Sequence, residues 1–428
     1  MKKHTQSPYE SSKVSYKPSG IEWLGEIPQS WENVSIRSCF TESNQRCNTD
    51  SYPLLSVTIA NGIIYQDNIE NKKDISNDDK SNYKIVPLNA VAYNKMRMWQ
   101  GAVGVNTLTT GIVSPAYIVA IPNEKILPNF VSYLFKSKIM IGEFDKNSYG
   151  LCLDMNNLRY DDFRNIKIPL PPLQEQKEIA EFLDSKCEKI QNYIDKKQKL
   201  ITLLQEKKQA LINQAVTKGL NPNIEFKNSE IAYLGLIPHH WEVRRMKFMA
   251  SIHNGREQTE IADENGIYPI YGSGGILGKS MYFIYDKPSV LLGRKGTIDK
   301  PLFVEEPFWT IDTMFYTSIS KIVLPKYFYY LCLTIDFQFY ISGSAIPSMT
   351  QYDLANISFA LPPLQEQKQI ANFLDEKCEK INSAIEKTKR QITLIKEYKN
   401  TLINEAVCGR VACSRDFSPT AQNDKKKN

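Results

Sequence analysis

Two long segments of the chain carry apolar residues at alternating spacings of four and three, which is the pattern of a coiled-coil seam. In the first segment the seam residues are Leu183, Cys187, Ile190, Ile194, Ile201, Leu204, Leu211 and Ala215. In the second they are Leu374, Cys378, Ile381, Ile385, Ile392, Ile395, Leu402 and Ala406. Two polar residues interrupt each seam at matching levels, first Lys197 and Lys208, then Thr388 and Lys399. The spacing predicts two long helices with packed seams.

Both predicted helices begin with the sequence Leu-Pro-Pro-Leu-Gln-Glu-Gln, at Leu170 and again at Leu361. Proline suits the first turn of a helix, because the N–H that it lacks would have no intrahelical partner there. A second motif, Leu-Gly-x-Ile-Pro-x-x-Trp, ends at Trp31 and again at Trp241. Two motifs repeated in the same order indicate that a whole half of the chain is duplicated. Gly219 suits the end of the first helix.

The segments between the repeated motifs have diverged, and the second is 19 residues shorter than the first. They cover about 33–169 and 243–360, and they mix short apolar runs with Gly, Asn and Pro. This pattern predicts an α/β domain with many short strands in each half. The predicted fold class is therefore α+β, with an internal repeat of domain and long helix.

Composition adds little to this picture. A net charge of +6 with a pI near 8.6 permits a polyanionic partner, although an ordinary soluble protein has a similar balance. The eight cysteines contain no Cys-x-x-Cys pair, and we interpret them as reduced. No apolar run approaches the roughly 20 residues that span a bilayer, and the polar start lacks the apolar core of a signal peptide. We expect a cytoplasmic protein.

One segment of the first domain, residues 92–104, places basic, amide and aromatic side chains between two apolar stretches. Such a mixture suits a nucleic-acid surface, since arginine bonds guanine edges, lysine meets phosphates, and asparagine or glutamine pairs with adenine. The alternative is a solvated strand with its Met and Trp side chains turned inward. The candidate DNA-binding residues here are Asn94, Lys95, Arg97 and Gln100.

The second domain contains two glycine-rich segments. The first, residues 272–280, is not a phosphate-binding P-loop, because Ser273 stands where that motif needs glycine. We interpret it as a glycine-rich turn between strands. In the second, Gly293 and Gly296 flank two basic residues, so a tight turn would present both side chains to a phosphate or a groove. The alternative is a charged hairpin turn. The candidate DNA-binding residues here are Arg294, Lys295 and Thr297.

Catalytic and metal-binding motifs are missing from the sequence. Its four histidines form neither a His-x-x-x-His nor a Cys-His arrangement. There is no Asn-Pro-Pro-Phe/Tyr or Asp-Pro-Pro-Tyr motif of an amino-methyltransferase and no ATP-binding loop. We therefore expect a binding protein that holds no metal or cofactor of its own, rather than an enzyme.

Together, the doubled helix and tryptophan motifs and the diverged middles resemble the specificity subunit of type I restriction-modification systems. The resemblance covers about residues 18–410. The motifs Tyr-Gly-Ser-Gly-Gly and Gly-Arg-Lys-Gly in the second half also look like the recognition domains of this family. So do Met-Arg-Met-Trp-Gln-Gly and Ser-Pro-Ala-Tyr, from Ser114 to Tyr117, in the first.

The resemblance implies two target recognition domains and two long antiparallel helices related by a pseudo-twofold axis. It implies a non-catalytic subunit that binds a bipartite site on double-stranded DNA. Its helices would dock two methyltransferase subunits and, through them, restriction subunits, and no membrane is involved. S-adenosylmethionine, ATP and magnesium would belong to those partners.

The predicted division of the chain follows from the repeats and this resemblance. It comprises a flexible start (1–15), target recognition domain 1 (16–170), helix 1 (171–220), target recognition domain 2 (221–361), helix 2 (362–410) and a disordered tail (411–428). Twelve seam residues are the candidates for coiled-coil packing and subunit docking, namely Leu183, Ile190, Ile194, Ile201, Leu204 and Leu211, and Leu374, Ile381, Ile385, Ile392, Ile395 and Leu402.

Two rival interpretations belong to other classes. One is a stand-alone DNA methyltransferase or nuclease, which would act on DNA without partner subunits. The other is a coiled-coil scaffold with no role on DNA, which would have no need of two diverged globular domains.

Overall fold

The computed structural model describes residues 15–47, 52–69, 80–150, 156–340 and 346–411. Apart from residues 15 and 411, the predicted flexible start and disordered tail lie outside these ranges. The chain divides into two compact units, the first formed by Met1–Asp195 with Gln391–Asn428 and the second by Lys196–Arg390. Each unit therefore combines one globular domain with one half of each long helix.

The described part of the first half contains short strands, three short helices and one long helix. The strands are β1 (Tyr16–Pro18), β2 (Glu26–Pro28), β3 (Glu32–Ser35), β4 (Phe40–Ser43), β5 (Leu55–Thr58), β6 (Gly62–Tyr65), β7 (Lys84–Val86), β8 (Val91–Asn94), β9 (Val103–Val105), β10 (Gly111–Val113), β11 (Tyr117–Pro122) and β12 (Lys167–Leu170). The helices are α1 (Pro128–Lys136), α2 (Lys138–Lys146), α3 (Tyr160–Phe163) and α4 (Leu173–Lys218).

The second half repeats this succession with fewer helices. Its strands are β13 (Phe226–Asn228), β14 (Leu236–Pro238), β15 (Glu242–Arg245), β16 (Ala250–Asn254), β17 (Tyr268–Gly272), β18 (Gly275–Ser280), β19 (Ser289–Gly293), β20 (Leu302–Val304), β21 (Trp309–Thr310), β22 (Met314–Ile319) and β23 (Ser358–Leu361). Its helices are α5 (Pro325–Cys332), α6 (Gln351–Asn356) and α7 (Leu364–Val407). The two predicted long helices are thus confirmed as α4 and α7.

The two globular domains share one sheet topology although their sequences have diverged. The first contains a four-stranded antiparallel sheet in the order β4-β11-β8-β9, and the second contains the same sheet as β16-β22-β19-β20. Beside it, the hairpin β5–β6 meets β10 through a parallel bridge between Leu54 and Ile112. The hairpin β17–β18 meets β21 in the same way, with Ile270 opposite Trp309. The strands of this sheet and hairpin, together with β10, therefore have counterparts in the second domain, whereas β7, which pairs with β10, has none among the described strands.

The core of each domain is rich in aromatic side chains. In the first, Phe135 contacts both Phe144 and Phe163 edge to face, with centroids 5.6 and 5.8 Å apart. In the second, Tyr327 and Phe328 of α5 are fully buried in one cluster with residues of both long helices. The core of the second domain is thus continuous with the helix seams.

The long helices run antiparallel within each unit. In the second unit, Ile212 near the end of α4 lies in the same core cluster as Leu374 near the start of α7. One helical turn away, Lys208 Nζ donates to Asn382 Oδ1 at 2.9 Å. In the first unit the start of α4 and the end of α7 meet at Trp31. The indole of Trp31 donates to Glu175 at 2.7 Å and lies against Gly409.

The final glutamine of each Leu-Gln-Glu-Gln motif ties the long helix to its globular domain. Gln176 is fully buried, and its Oε1 accepts from Leu127 N at 2.7 Å. Its Nε2 donates to the carbonyls of Lys125 at 3.0 Å and Pro171 at 2.9 Å. Because buried polar groups need partners, these three bonds fix the segment before α1 against the start of α4.

Gln367 repeats the arrangement in the second unit. Its Oε1 accepts from Leu324 N at 2.8 Å, and its Nε2 donates to the carbonyls of Ile322 at 3.0 Å and Pro362 at 2.8 Å. A second pair of tethers lies two turns further along each helix. Tyr133 Oη donates to Asp184, and Tyr330 Oη donates to Asp375, both at 2.6 Å. The repeated sequence motif therefore marks a repeated hydrogen-bonded joint.

Two further features concern the described residues as a whole. Six of the eight cysteines lie there, and no disulfide joins any two of them. No described helix combines the length and apolar character that would let it cross a membrane.

The buried glutamines give a first testable prediction. Replacing Gln176 with Ala leaves one N–H and two carbonyl groups buried without that partner, and each unsatisfied buried group costs about 1–3 kcal/mol. We expect Gln176→Ala to lower the free energy of unfolding by about 2–5 kcal/mol, measured by denaturant titration, and Gln367→Ala to do the same.

The matched control for this prediction is Gln174→Ala, two residues earlier. The Gln174 side chain is exposed and bonds Glu178 at 2.8 Å on the same helix. Its removal should change the free energy of unfolding by no more than about 0.5 kcal/mol. If the two variants were equally stable, the joint would not hold the domain to the helix.

Candidate nucleic-acid interface

The candidate segment of the first domain forms a turn at the end of β8. Asn94 Oδ1 accepts from Met96 N at 3.0 Å, and Trp99 Nε1 donates to the Met96 carbonyl at 3.0 Å. Met98 is buried and anchors a short 3₁₀ helix that ends at Gly101. The strand of the alternative interpretation ends at Asn94, whereas its inward-turned Met side chain is confirmed at Met98.

This turn places the four predicted residues of the first domain on one short segment. Arg97 and Gln100 are exposed, and Asn94 and Lys95 are half-buried. Tyr117, opposite Asn94 in β11, lies close to both Asn94 and Arg97. Burial raises the pKa of the Tyr117 phenol, while its hydrogen bond with Asn94 and the charge of Arg97 act in the opposite direction. Tyr117 therefore stays neutral at physiological pH beside the basic turn.

Another buried positive charge lies near this turn. Lys84 is almost completely buried, with its Nζ 4.0 Å from Glu42. Burial lowers the pKa of Lys84, the nearby Glu42 carboxylate opposes that effect, and the charges of Arg46 and Lys95 add to it. Four ionisable side chains thus share one region of the first domain. No motif in the sequence indicated this cluster, since its members come from three separate segments.

The candidate segment of the second domain is a turn that follows β19. Arg294 is half-buried, its Nη1 donates to the Asp312 carbonyl at 3.2 Å, and its guanidinium lies 6.0 Å from the centre of the Phe315 ring. Lys295 is exposed, and Thr297 is half-buried. The guanidinium is therefore held in one orientation, whereas the Lys295 ammonium is free to follow a partner.

The glycine-rich segment lies directly against this turn. It is confirmed as the tight turn of the hairpin β17–β18, at Ser273 and Gly274. Ser273 N donates to Thr313 Oγ1 at 3.4 Å, and a Cβ added to Gly296 would come within 3.2 Å of Ser273 Oγ. Glycine suits this position, because its φ is +82° and an added Cβ would crowd Ser273. The structure thus brings together two turns that the sequence presented separately.

The two basic turns occupy equivalent positions in the two domains. Each follows an inner strand of the four-stranded sheet, β8 in one and β19 in the other. These strands pair with the other inner strand, β11 or β22. Leu158 N donates to the Lys95 carbonyl at 2.8 Å, and Met349 N donates to the Arg294 carbonyl at 2.9 Å. Since Leu158 and Met349 lie at matching positions before the two long helices, Lys95 is the structural counterpart of Arg294.

The predicted docking residues lie mainly inside the helix pairs. All twelve predicted positions are seam residues, and most of them are buried, with Leu183 and Leu374 fully inaccessible. Leu204, Leu211, Ile381 and Ile395 are half-buried, whereas Ile190, Ile194, Ile201, Ile385, Ile392 and Leu402 are buried. Their coiled-coil packing fits the seam pattern, and their docking role stays a prediction. Other apolar residues of the same helices are exposed, Leu203 by 51% and Leu394 by 55%.

No metal-binding geometry occurs among the described residues, because they contain no group of three His, Cys, Asp or Glu side chains that could hold an ion. His240 contacts Glu366 at 2.8 Å. His253 stacks on Tyr316 and bonds Ser318 at 2.9 Å. Both histidines therefore have structural partners.

Most of the chain is similar to known proteins. A family model described as the type I restriction modification DNA specificity domain matches residues 28–205 and 238–394. A putative type I restriction enzyme MjaX specificity subunit of Methanocaldococcus jannaschii is 25% identical over 91% of this chain and 95% of its own length. The MjaVIII specificity subunit of the same organism is 28% identical over 70% of this chain and 74% of its own.

Two solved structures show the same fold. One comes from work on complex assembly and conformational transition of the type I R-M system; it has a TM-score of 0.70 at 15% identity and covers 90% of this chain and 99% of its own. The other is the HsdS subunit of Thermoanaerobacter tengcongensis, with a TM-score of 0.51 at 16% identity and coverage of 90% and 98%. The predicted fold class of two α/β domains with two long antiparallel helices is confirmed.

The different restraint of Arg294 and Lys295 leads to a second prediction. A fixed guanidinium suits a guanine edge, whereas a mobile ammonium suits a phosphate. We expect Arg294→Ala to cost about 1–3 kcal/mol of discrimination at one base position. Lys295→Ala should weaken binding to all sequences alike and reduce the salt slope by about one unit. Binding to site variants at several salt concentrations measures both, and identical behaviour of the two variants would contradict the assignment.

Proposed function

Because this chain belongs to the family of type I restriction modification DNA specificity domains, we propose that it is the DNA-binding specificity subunit of a type I restriction-modification complex. Each recognition domain contacts one half of a bipartite site on double-stranded DNA. The observation that carries this proposal is the equivalence of the two basic turns. The same backbone arrangement occurs in both domains, and it presents Lys95 in one and Arg294 in the other.

The unlike composition of the turns supports two different half-sites. The first turn offers an asparagine, a glutamine and two basic side chains, which suit adenine and guanine edges. The second turn offers two basic side chains and a threonine beside a glycine-rich hairpin. Side chains of different chemistry on the same frame recognise different bases at the same distance from the sheet.

The chain contributes binding and no catalysis in this proposal. Adenine methylation with S-adenosylmethionine, and cleavage driven by ATP with magnesium, belong to two methyltransferase subunits and to restriction subunits that join through them. The chain holds none of these cofactors. Its working place is the cytoplasm, where the DNA and these partner subunits are.

The long helices offer a surface for the methyltransferase subunits. Leu203 of α4 and Leu394 of α7 stand at matching positions of the two repeats, and both are more than half exposed. Leu200 and Tyr398, which lie one turn away on the same helices, are exposed as well. Exposed apolar residues repeated at equivalent positions suit two copies of one partner, each burying one of them.

A domain exchange tests the proposed function. Replacing residues 33–169 with the matching segment of a relative should change one half-site and leave the other as it was, because each domain has its own sheet and its own basic turn. Mapping of methylated adenines in the assembled complex measures the outcome. A change in both half-sites, or methyl transfer by this chain without a methyltransferase subunit, would refute the proposal.

Substitution at the exposed leucines tests the docking surface. Leu203→Asp and Leu394→Asp should each weaken binding of a methyltransferase subunit at least about tenfold, since a buried carboxylate replaces an apolar contact. Titration calorimetry measures the affinity. Gln205→Asp is the control, because Gln205 is exposed on the opposite side of the same helix. Equal affinity of all three variants would place the docking surface elsewhere.

A further inference from the structure

Lys136, the last residue of α1, joins two turns of the first domain. Its Nζ donates to the carbonyls of Ile59 at 2.6 Å, Gly101 at 3.0 Å and Thr58 at 3.3 Å. A lysine ammonium has three N–H donors, so all of them are used. Gly101 ends the basic turn 94–101, and Thr58 and Ile59 begin the tip of the hairpin β5–β6. The hairpin tip and the basic turn are therefore neighbours.

Placing a lysine here costs free energy, which indicates that the arrangement is specific. The side chain is partly buried, and this burial lowers the pKa of Lys136 to about 8. A buried ammonium is stable when polar groups surround it, and here backbone carbonyls from two separate segments do so. A change of position of either turn would remove one of its partners. Lys136 thus fixes the distance between the two turns.

The hairpin tip itself is exposed and rigid. Thr58 Oγ1 accepts from Asn61 N at 3.0 Å and donates to the Gly62 carbonyl at 3.2 Å, which closes the turn. Ile59 and Asn61 are exposed. The side-chain amide of Asn61 bonds no described residue, so its donor and acceptor are both available to a ligand.

The second domain places its own hairpin tip in the same position. The tip of β17–β18, at Ser273 and Gly274, is the counterpart of residues 59–61, because β17 and β5 make equivalent parallel pairings. Ser273 lies beside the basic turn, since a Cβ added to Gly296 would come within 3.2 Å of Ser273 Oγ. Two domains of unlike sequence thus keep the same pair of turns together by different means, a lysine in one and a serine with a glycine in the other.

The simplest alternative is that Lys136 only stabilises the fold and that Asn61 is an ordinary turn residue. Against this, a purely structural joint would suit apolar side chains better than a buried charge. The tip and the basic turn also expose amide and basic side chains on adjacent segments, which is the composition of a base-reading surface.

We propose that the hairpin tip 59–61 is a second DNA-contacting element of the first recognition domain. Asn61 is a specificity-determining residue that hydrogen-bonds a base edge, with adenine as the base that an asparagine amide fits best. Lys136 is a positioning residue that sets this tip against the basic turn. The proposal rests on the proposed function and adds a second reading element to it.

The test uses the full chain assembled with its methyltransferase subunits and DNA libraries in which each half-site is varied separately. Asn61→Ala should lower discrimination at one base position of the first half-site by about tenfold or more. Lys136→Met should lower discrimination at that same position and reduce affinity for the first half-site, with the second half-site unchanged. Lys138→Met is the matched control, because it removes a nearby exposed lysine.

The outcomes separate this proposal from the proposed function. If Asn61→Ala leaves every position of the first half-site unchanged, or if Lys136→Met behaves like Lys138→Met, the hairpin tip does not read DNA. A loss at all positions of the first half-site in Lys136→Met, with no change in Asn61→Ala, assigns Lys136 to fold stability and overturns the proposal. Failure of the unaltered complex to discriminate any half-site would instead overturn the proposed function.

Discussion

The structure depends on two buried glutamines, Gln176 and Gln367. Each has an amide with one acceptor and two donors in use, and its three bonds end on the backbone of two segments, the one before the short helix of the domain and the one before the long helix. A fully buried amide that satisfies three backbone groups tolerates little displacement, since each lost bond leaves a buried group without a partner. The recognition domain therefore joins its long helix in one orientation. The same joint in both halves explains why the helix motif is repeated while the domain sequences are not.

Trp31 and Trp241 pack at equivalent helix ends of the two units, but their indole N–H groups differ in hydrogen bonding. Trp31 donates its indole N–H to Glu175, and the neighbouring Ser30 bonds the same carboxylate. In the second unit His240 takes the place of Ser30 and bonds Glu366, while Trp241 Nε1 is buried without a partner among the described residues. Both tryptophans still pack against the glycine that ends the other helix. Apolar contact thus holds this corner together, and the hydrogen bond is an addition.

The sequence predicted the helices well and the sheets only in outline, and the physical reason is the range of the interactions. Helical periodicity is local, so the seam residues could be recognised along one segment. Strand pairing is not local, and nothing in the sequence links Asn94 to Tyr117 or Gly293 to Met314. The residue types along the two segments were enough to select both basic turns as candidates. Their equivalence became visible only through the bonds that Leu158 and Met349 donate to Lys95 and Arg294.

The same distinction explains where this chain can vary. Residues that satisfy buried polar groups or fill a seam are fixed by partners on other segments, so that a change there disturbs the whole unit. The turn residues of the two domains have few such obligations. Arg97, Gln100 and Lys295 are exposed, and the frame around them is held by backbone bonds that do not depend on their side chains. A domain built in this way can exchange the side chains of its turns without losing its fold. In the proposed function, two half-sites of different sequence therefore require only different turns on the same backbone arrangement.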